Sequence, residues 1–212
     1  MAQTLVLATR NKGKIREFQK LLADHDITLL GLGDYPEAPD VAETGTTFAQ
    51  NALLKARAIA KFTQKVTVAD DSGLVVDCLN GEPGVFSARY ASDMEFLPNE
   101  TVDAKNIRKL LQVLEGVPEE RRSCRFVCCM AVVRPDGREM TVEGQWEGRV
   151  LFKAVGEGGF GYDPIFFDPS LGVSAAQLSS VEKSAVSHRG KATRLVLKRL
   201  PHFLSLPTLK VM

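Results

Sequence analysis

Strand-like and helix-like stretches alternate through the first third of this 212-residue chain and then give way to a run of strands. Thr4–Ala8 is a short apolar stretch of strand type. Lys14–Leu22 follows, with Ile15, Phe18, Leu21 and Leu22 spaced for one face of a helix. Ile27–Leu30 predicts a second strand. Gly31–Gly45 is a loop rich in Gly, Pro and acidic residues. Thr47 opens an Ala-rich helix, Phe48–Lys61, with Thr47 and Gln50 at capping-box spacing. This order predicts an α/β fold with a mixed sheet flanked by helices.

Downstream, Val66–Ala69 and Leu74–Cys78 read as strands with Asp70-Asp-Ser-Gly73 turning between them. Thr101 caps a helix that runs to about Leu114, before the stop signals Gly116 and Pro118. Arg125–Val133 and Arg138–Glu143 flank a Pro135-Asp-Gly137 hairpin turn, and Trp146–Phe152 adds a further strand. Ser179 or Ser187 opens a C-terminal helical region ending near Leu200-Pro201. The reading is one domain over residues 1–204 and a tail over 205–212.

The balance of 27 basic and 26 acidic residues argues against a general nucleic-acid-binding protein. The four cysteines form no CxxC pair, and no His stands at zinc spacing from them. Cys124, Cys128 and Cys129 fall in or beside the apolar run Arg125–Val133, so they read as small hydrophobes in a buried strand. With no disulfide framework, the expected compartment is reducing. The apolar stretch Leu5–Ala8 is too short for a signal peptide, its basic residues follow it, and no run reaches membrane-spanning length. The expectation is therefore a cytoplasmic protein with no membrane and no nucleic-acid partner.

Several polar groups carry chemistry. Thr9, Arg10, Asn11, Lys12, Gly13 and Lys14 link a strand to a helix start, where backbone N–H groups at the positive end of the dipole suit phosphate. An ordinary strand–helix turn with solvated lysines is the equal alternative, and GxxxxGK[ST] is absent. Asp70 and Asp71 repel one another unless a positive charge sits beside them, which a divalent cation with oxygen ligands supplies. Taken alone, an exposed turn is the better reading. Glu43 adds a third acid before a helix, and Asn51 and Lys55 share a helix face turned to the site or to water. Gly156-Glu-Gly-Gly-Phe-Gly161 matches GxGxxG, yet no helix follows it, so it is read as a glycine-rich loop. Phe160 and Tyr162 either stack on a base or pack the core beneath that loop. Lys183, His188, Arg189 and Lys191 cluster near the C-terminus, with Lys191 read as solvated.

Each of these signals is modest, but their joint order is not. Thr9-x-Asn-x-x-Lys14, Glu43-x-Gly-x-Thr-Phe48, Asn51-x-x-x-Lys55-Ala56, Ala69-Asp-Asp-Ser-Gly-Leu74, Pro83-Gly-x-x-Ser-Ala-Arg-Tyr90, Gly159-Phe-Gly-Tyr-Asp-Pro164 and Lys183 with Ser187-His-Arg-Gly190 span roughly Leu5 to Leu200. Together they resemble the inosine/xanthosine triphosphate pyrophosphatase family. The resemblance implies an elongated mixed sheet, two lobes around a central groove and a homodimer. It also implies Mg²⁺-dependent hydrolysis of deaminated purine triphosphates to monophosphate and pyrophosphate. Carried over, Thr9–Lys14 is the phosphate loop, Asp71 the proton acceptor and a metal ligand, and Glu43 a metal-site carboxylate. Ser72 is a substrate contact. Phe160, Gly161, Tyr162, Asp163, Lys183, His188 and Arg189 form the substrate and base set. Gln50 departs from the family, which often has Glu there, and this weakens a metal role while keeping the capping role. The competing readings are a pyrophosphatase for modified pyrimidine nucleotides and a non-catalytic nucleotide- or RNA-binding module.

Overall fold

Apolar residues at alternate positions sort the strands of the first half of the chain onto two helix-covered faces. The computed structural model describes residues 3–22 and 27–206. In chain order the main elements are β1 (Gln3–Leu7), α1 (Lys12–Leu22), β2 (Ile27–Gly31), α2 (Phe48–Thr63), β3 (Thr67–Val76) and α3 (Val102–Val113). They continue with β4 (Ser123–Val133), β5 (Glu139–Val150), β6 (Phe166–Asp168), β7 (Val173–Ser174), α4 (Ser180–Val186) and α5 (His188–Ser205). One seven-stranded sheet has the order β2-β1-β3-β4-β5-β6-β7. β1 is parallel to both β2 and β3, whereas β6 is antiparallel to β5 and β7, so the sheet is mixed and the fold is α/β.

The chain divides into two compact units. The first holds the chain up to Asp71, Cys128–Gly144, and Arg189 onward. Here Leu5, Leu7, Val68, Cys128, Met130 and Val132 face one way and pack on Phe18 and Leu22 of α1 and Ala192 and Val196 of α5. Val6, Ala8, Ala69, Ala131 and Val133 face the other way, onto Ala52, Ala56 and Ile59 of α2. This period of two is the pleat of a strand buried on both faces. The second unit comprises Ser72–Val127 and Gln145–His188. Its core gathers Leu74, Leu110, Leu114, Phe126, Trp146 and Phe166.

Four local expectations change. Asp70–Gly73 does not turn: β3 is one continuous strand, because Val68 and Ala69 before the acidic pair and Leu74 and Val76 after it are all buried in cores that hold it straight. β5 likewise runs unbroken through Trp146 to Val150 and leaves Phe152 outside. α5 continues through Pro201 to Ser205, since buried Leu200 and Phe203 outweigh one lost backbone donor near the helix end. Ser205 therefore closes a helix, and the rest of the expected tail, 207–212, lies outside the described residues. Finally, Thr47 does cap α2 by accepting from Gln50 N, but the Gln50 side chain accepts from Thr46 N and not from Thr47 N. Ser179 caps α4 with a full capping box to Glu182, and Ser187 stands at the break before α5. Cys124, Cys128 and Cys129 are buried in β4 as expected.

Candidate active site

In the first unit, β1 pairs with β2 on one side and with β3 on the other, so the connection out of β1 and the connection into β3 run to opposite sides of it. Such a switch point, at the C-terminal ends of parallel strands, is where α/β folds leave a crevice. Leu7 lies opposite Val68, which brings residues 8–11 level with Asp70 and Asp71.

The strand pleat sends the two acids to opposite faces. Asp70 meets Lys14 of α1, 2.8 Å from its Oδ2, and Arg189 of α5, whose Nε is 3.5 Å from the same oxygen. Burial alone pushes the Asp70 carboxyl up. Lys14, Arg189 and Lys55 outweigh it and hold the group well below the usual carboxylate range. Asp71 turns to α2, where Asn51 Nδ2 donates to its Oδ2 at 3.0 Å and Lys55 Nζ lies 3.9 Å from Oδ1. For Asp71, burial wins over Lys55 and Asn51 and raises the pKa. A buried carboxylate raised in this way is suited to accept a proton.

Lys55 also donates to Glu43 Oε1 at 2.5 Å, so one ammonium lies between the Glu43 and Asp71 carboxylates. Positive charge is thus held between two hard oxygen donors, Glu43 and Asp71, whose chemistry is of the kind Mg²⁺ takes. Among the described residues, no three His, Cys, Asp or Glu side chains form a ready cage. Mg²⁺ needs none, because it keeps water and takes phosphate oxygens alongside one or two carboxylates.

The expected phosphate loop is partly self-satisfied. Asn11 Oδ1 accepts from Gly13 N at 2.8 Å and Lys14 N at 3.2 Å, and Thr9 Oγ1 accepts from Asn11 N. Asn11 thus caps α1, and two of the donors expected to face phosphate are engaged. Arg10 donates to Ala38 O and pairs with exposed Asp40 at 3.7 Å. A cavity of about 250 Å³ remains beside the loop, with Thr9, Arg10 and Lys55 in its lining. The Lys12 side chain lies outside the described residues. Ser72 follows Asp71 in β3 and is half-buried.

In the second unit, Asp163 organises the glycine-rich loop. Its Oδ2 accepts from Phe160 N at 2.9 Å and pairs with Lys183 Nζ at 2.5 Å, and both side chains are buried. Gly159 has φ 77°, and a Cβ there would collide with the Asp163 carboxylate, so only glycine fits. The Lys183 ammonium lies 4.6 Å from the Phe160 ring centroid. Gly161 N donates to Asp103 at 2.7 Å. Phe160 is half-exposed, whereas the Tyr162 ring is in the core and its hydroxyl donates to Ser87 O at 2.9 Å. His188 is buried, stacked on Phe126 with centroids 4.7 Å apart. Lys191 is exposed, as expected.

The Ham1 family model matches residues 5–199. The chain belongs to the Ham1 family. It is 54% identical over 200 residues to a dITP/XTP pyrophosphatase of Nitratidesulfovibrio vulgaris, covering 94% of this chain and 97% of that one. To a dITP/XTP pyrophosphatase of Geobacillus kaustophilus it is 50% identical over 188 residues, covering 89% of each chain. A solved HAM1 protein from Coxiella burnetii has a TM-score of 0.83 and 41% identity, with 94% of this chain and 99% of that one covered.

Three residues of this Ham1 chain gain a place that the sequence left open. Asn51 and Lys55, four apart on α2, face the acids and not water. Asp70, read only as half of a repelling pair, is the anchor of Lys14 and Arg189. The i, i+4 spacing was the available signal for the first two. Nothing local announces the third, because its partners come from distant segments.

Proposed function

We propose that this protein hydrolyses non-canonical purine nucleoside triphosphates (dITP, ITP and XTP) to the monophosphate and pyrophosphate, with Mg²⁺, as a cytoplasmic homodimer. The observation that carries the reading is the buried, pKa-raised Asp71 facing Glu43 across Lys55. The names of its relatives, dITP/XTP pyrophosphatase, give the substrate class. The four free cysteines support a reducing compartment, and among the described residues no helix is long and apolar enough to cross a membrane.

Glu43 and Asp71 would hold the ion. Bound there, Mg²⁺ would neutralise phosphate charge and polarise the α-phosphate. Lys55, Thr9 and Arg10, which line one cavity, supply donors for phosphate oxygens. Asp71 orients a water and takes its proton as the water oxygen bonds to the α-phosphorus. The bridging bond from the α-phosphorus to the β-phosphate oxygen breaks, and that oxygen leaves as part of pyrophosphate. In the second unit, Phe160 offers a face to a base, held by the Asp163 carboxylate at its backbone and the Lys183 ammonium at its ring.

The test is a panel of dITP, XTP, dATP, dGTP and a modified pyrimidine triphosphate, scored by pyrophosphate release with Mg²⁺ and with chelator. Preference for dITP and XTP, abolished by chelator, is expected. Preference for the pyrimidine would move the protein to the related substrate class. Binding without pyrophosphate release would make it a nucleotide-binding module.

A further inference from the structure

Asn51 is fully buried, and its amide is divided between the two sides of the acidic site. Its Nδ2 donates to Asp71 Oδ2 at 3.0 Å, while its Oδ1 accepts from Gly45 N at 2.8 Å. Gly45 lies two residues from Glu43 in the loop that leads into α2. The loop approaches so closely that a Cβ on Gly45 would sit 2.7 Å from Asn51 Oδ1 and 2.7 Å from Gln50 Cβ. The contact therefore exists only because position 45 is glycine.

We propose that Asn51 is a positioning residue that fixes the Glu43 loop and the Asp71 carboxylate to one rigid amide, presetting the distance between the two metal-site acids. Two carboxylates that must share a cation repel one another before it arrives. Lys55 offsets the charge, but a flexible ammonium does not set a geometry. The Asn51 amide does, because it holds one acid by its carboxylate and the other through the backbone of its loop. Partners that orient metal ligands are worth about ten- to hundredfold in metal affinity or activity. This deepens the reading of Glu43 and Asp71 as the Mg²⁺ carboxylates and rests on it.

The experiment measures Mn²⁺ binding to nucleotide-free protein by electron paramagnetic resonance, beside the Mg²⁺ dependence of turnover. Asn51→Leu removes both hydrogen bonds at similar volume. Gly45→Ala breaks the loop side of the same link while leaving the Asn51 side chain itself in place, and so serves if Asn51→Leu does not fold. Each variant is expected to weaken Mn²⁺ binding and to raise the Mg²⁺ needed for half-maximal rate about tenfold or more. The KM for nucleotide at saturating Mg²⁺ should move much less. Combining Gly45→Ala with Glu43→Gln should add little to Glu43→Gln alone, since the loop then positions no ligand. Wild-type Mn²⁺ binding in folded Gly45→Ala or Asn51→Leu, while Glu43→Gln is impaired, overturns the Asn51 role and leaves the metal site standing. Wild-type Mn²⁺ binding in Glu43→Gln and Asp71→Asn as well overturns the metal site itself.

Discussion

Asp70 and Asp71 are consecutive in β3, yet their carboxylates point to opposite faces and make their short contacts with different helices, Asp70 with α1 and α5 and Asp71 with α2. The two acids should therefore fail differently. Asp71→Asn keeps the shape and deletes the proton acceptor, so turnover should fall about 100- to 10,000-fold with the melting temperature little changed. Asp70→Asn strands Lys14 and Arg189 without their shared counter-charge, and should lower stability by about 3–5 kcal/mol in urea unfolding. Equal stability loss in both variants would refute this division of labour.

Lys14 serves Asp70 and stands at the start of α1, so Lys14→Ala should show two effects. Triphosphate binding should weaken more than nucleoside binding, because an ammonium acts on phosphate charge. The melting temperature should fall too, since Asp70 loses its 2.8 Å partner. Calorimetric titration with both ligands, beside a melt, checks this.

Phe160 and Arg189 both come from the segments expected to select the base, and only one is placed to do so cheaply. Phe160→Ala should raise KM for dITP roughly 5- to 100-fold, the worth of one stacked base, while stability stays near wild type. Arg189 is buried against Asp70. Arg189→Ala should cost stability first, so its effect on selectivity is readable only from the dITP to dATP ratio of kcat/KM in protein shown to be folded.

Glu100 gives the acid limb of stability a defined contributor. Its hydrogen bonds from Arg108 and from Leu97 N lower its pKa to about 2. A depressed acid stabilises the fold above its unfolded pKa of roughly 4.3 and loses that contribution as pH falls through the folded value. Glu100→Gln should therefore lose less stability than wild type between about pH 5 and pH 2. Parallel acid-unfolding curves for the two proteins would remove Glu100 from the account.

The parts of this molecule legible in the sequence are those fixed by local pattern. Thr47 and Thr101 cap the helices they were expected to cap, the cysteines of β4 are buried, and the motif order identified the family. What failed was the turn at Asp70–Gly73. Asp-Asp-Ser-Gly has turn chemistry, and it is the buried residues flanking it, with partners from α1, α2 and α5, that keep a strand through it. The contact of Arg189 with Asp70 was invisible for the same reason: its counter-charge is more than a hundred residues away in the sequence. Asn11 adds a role the sequence did not announce, since its side-chain carbonyl caps its own helix.

The opposite routes of the two connections around β1 have an evolutionary consequence. The connection after β1 runs to α1 on one face, and the connection after β2 runs to α2 on the other. Upstream of Glu43 the connection to α2 can lengthen, shorten or change sequence without rethreading α1, and added loop length is entropically inexpensive. The acidic pair belongs to β3, and its partners Lys14, Asn51, Lys55 and Arg189 sit on helices and not in that stretch. Substrate range can therefore drift at the rim while the hydrolytic chemistry is inherited intact.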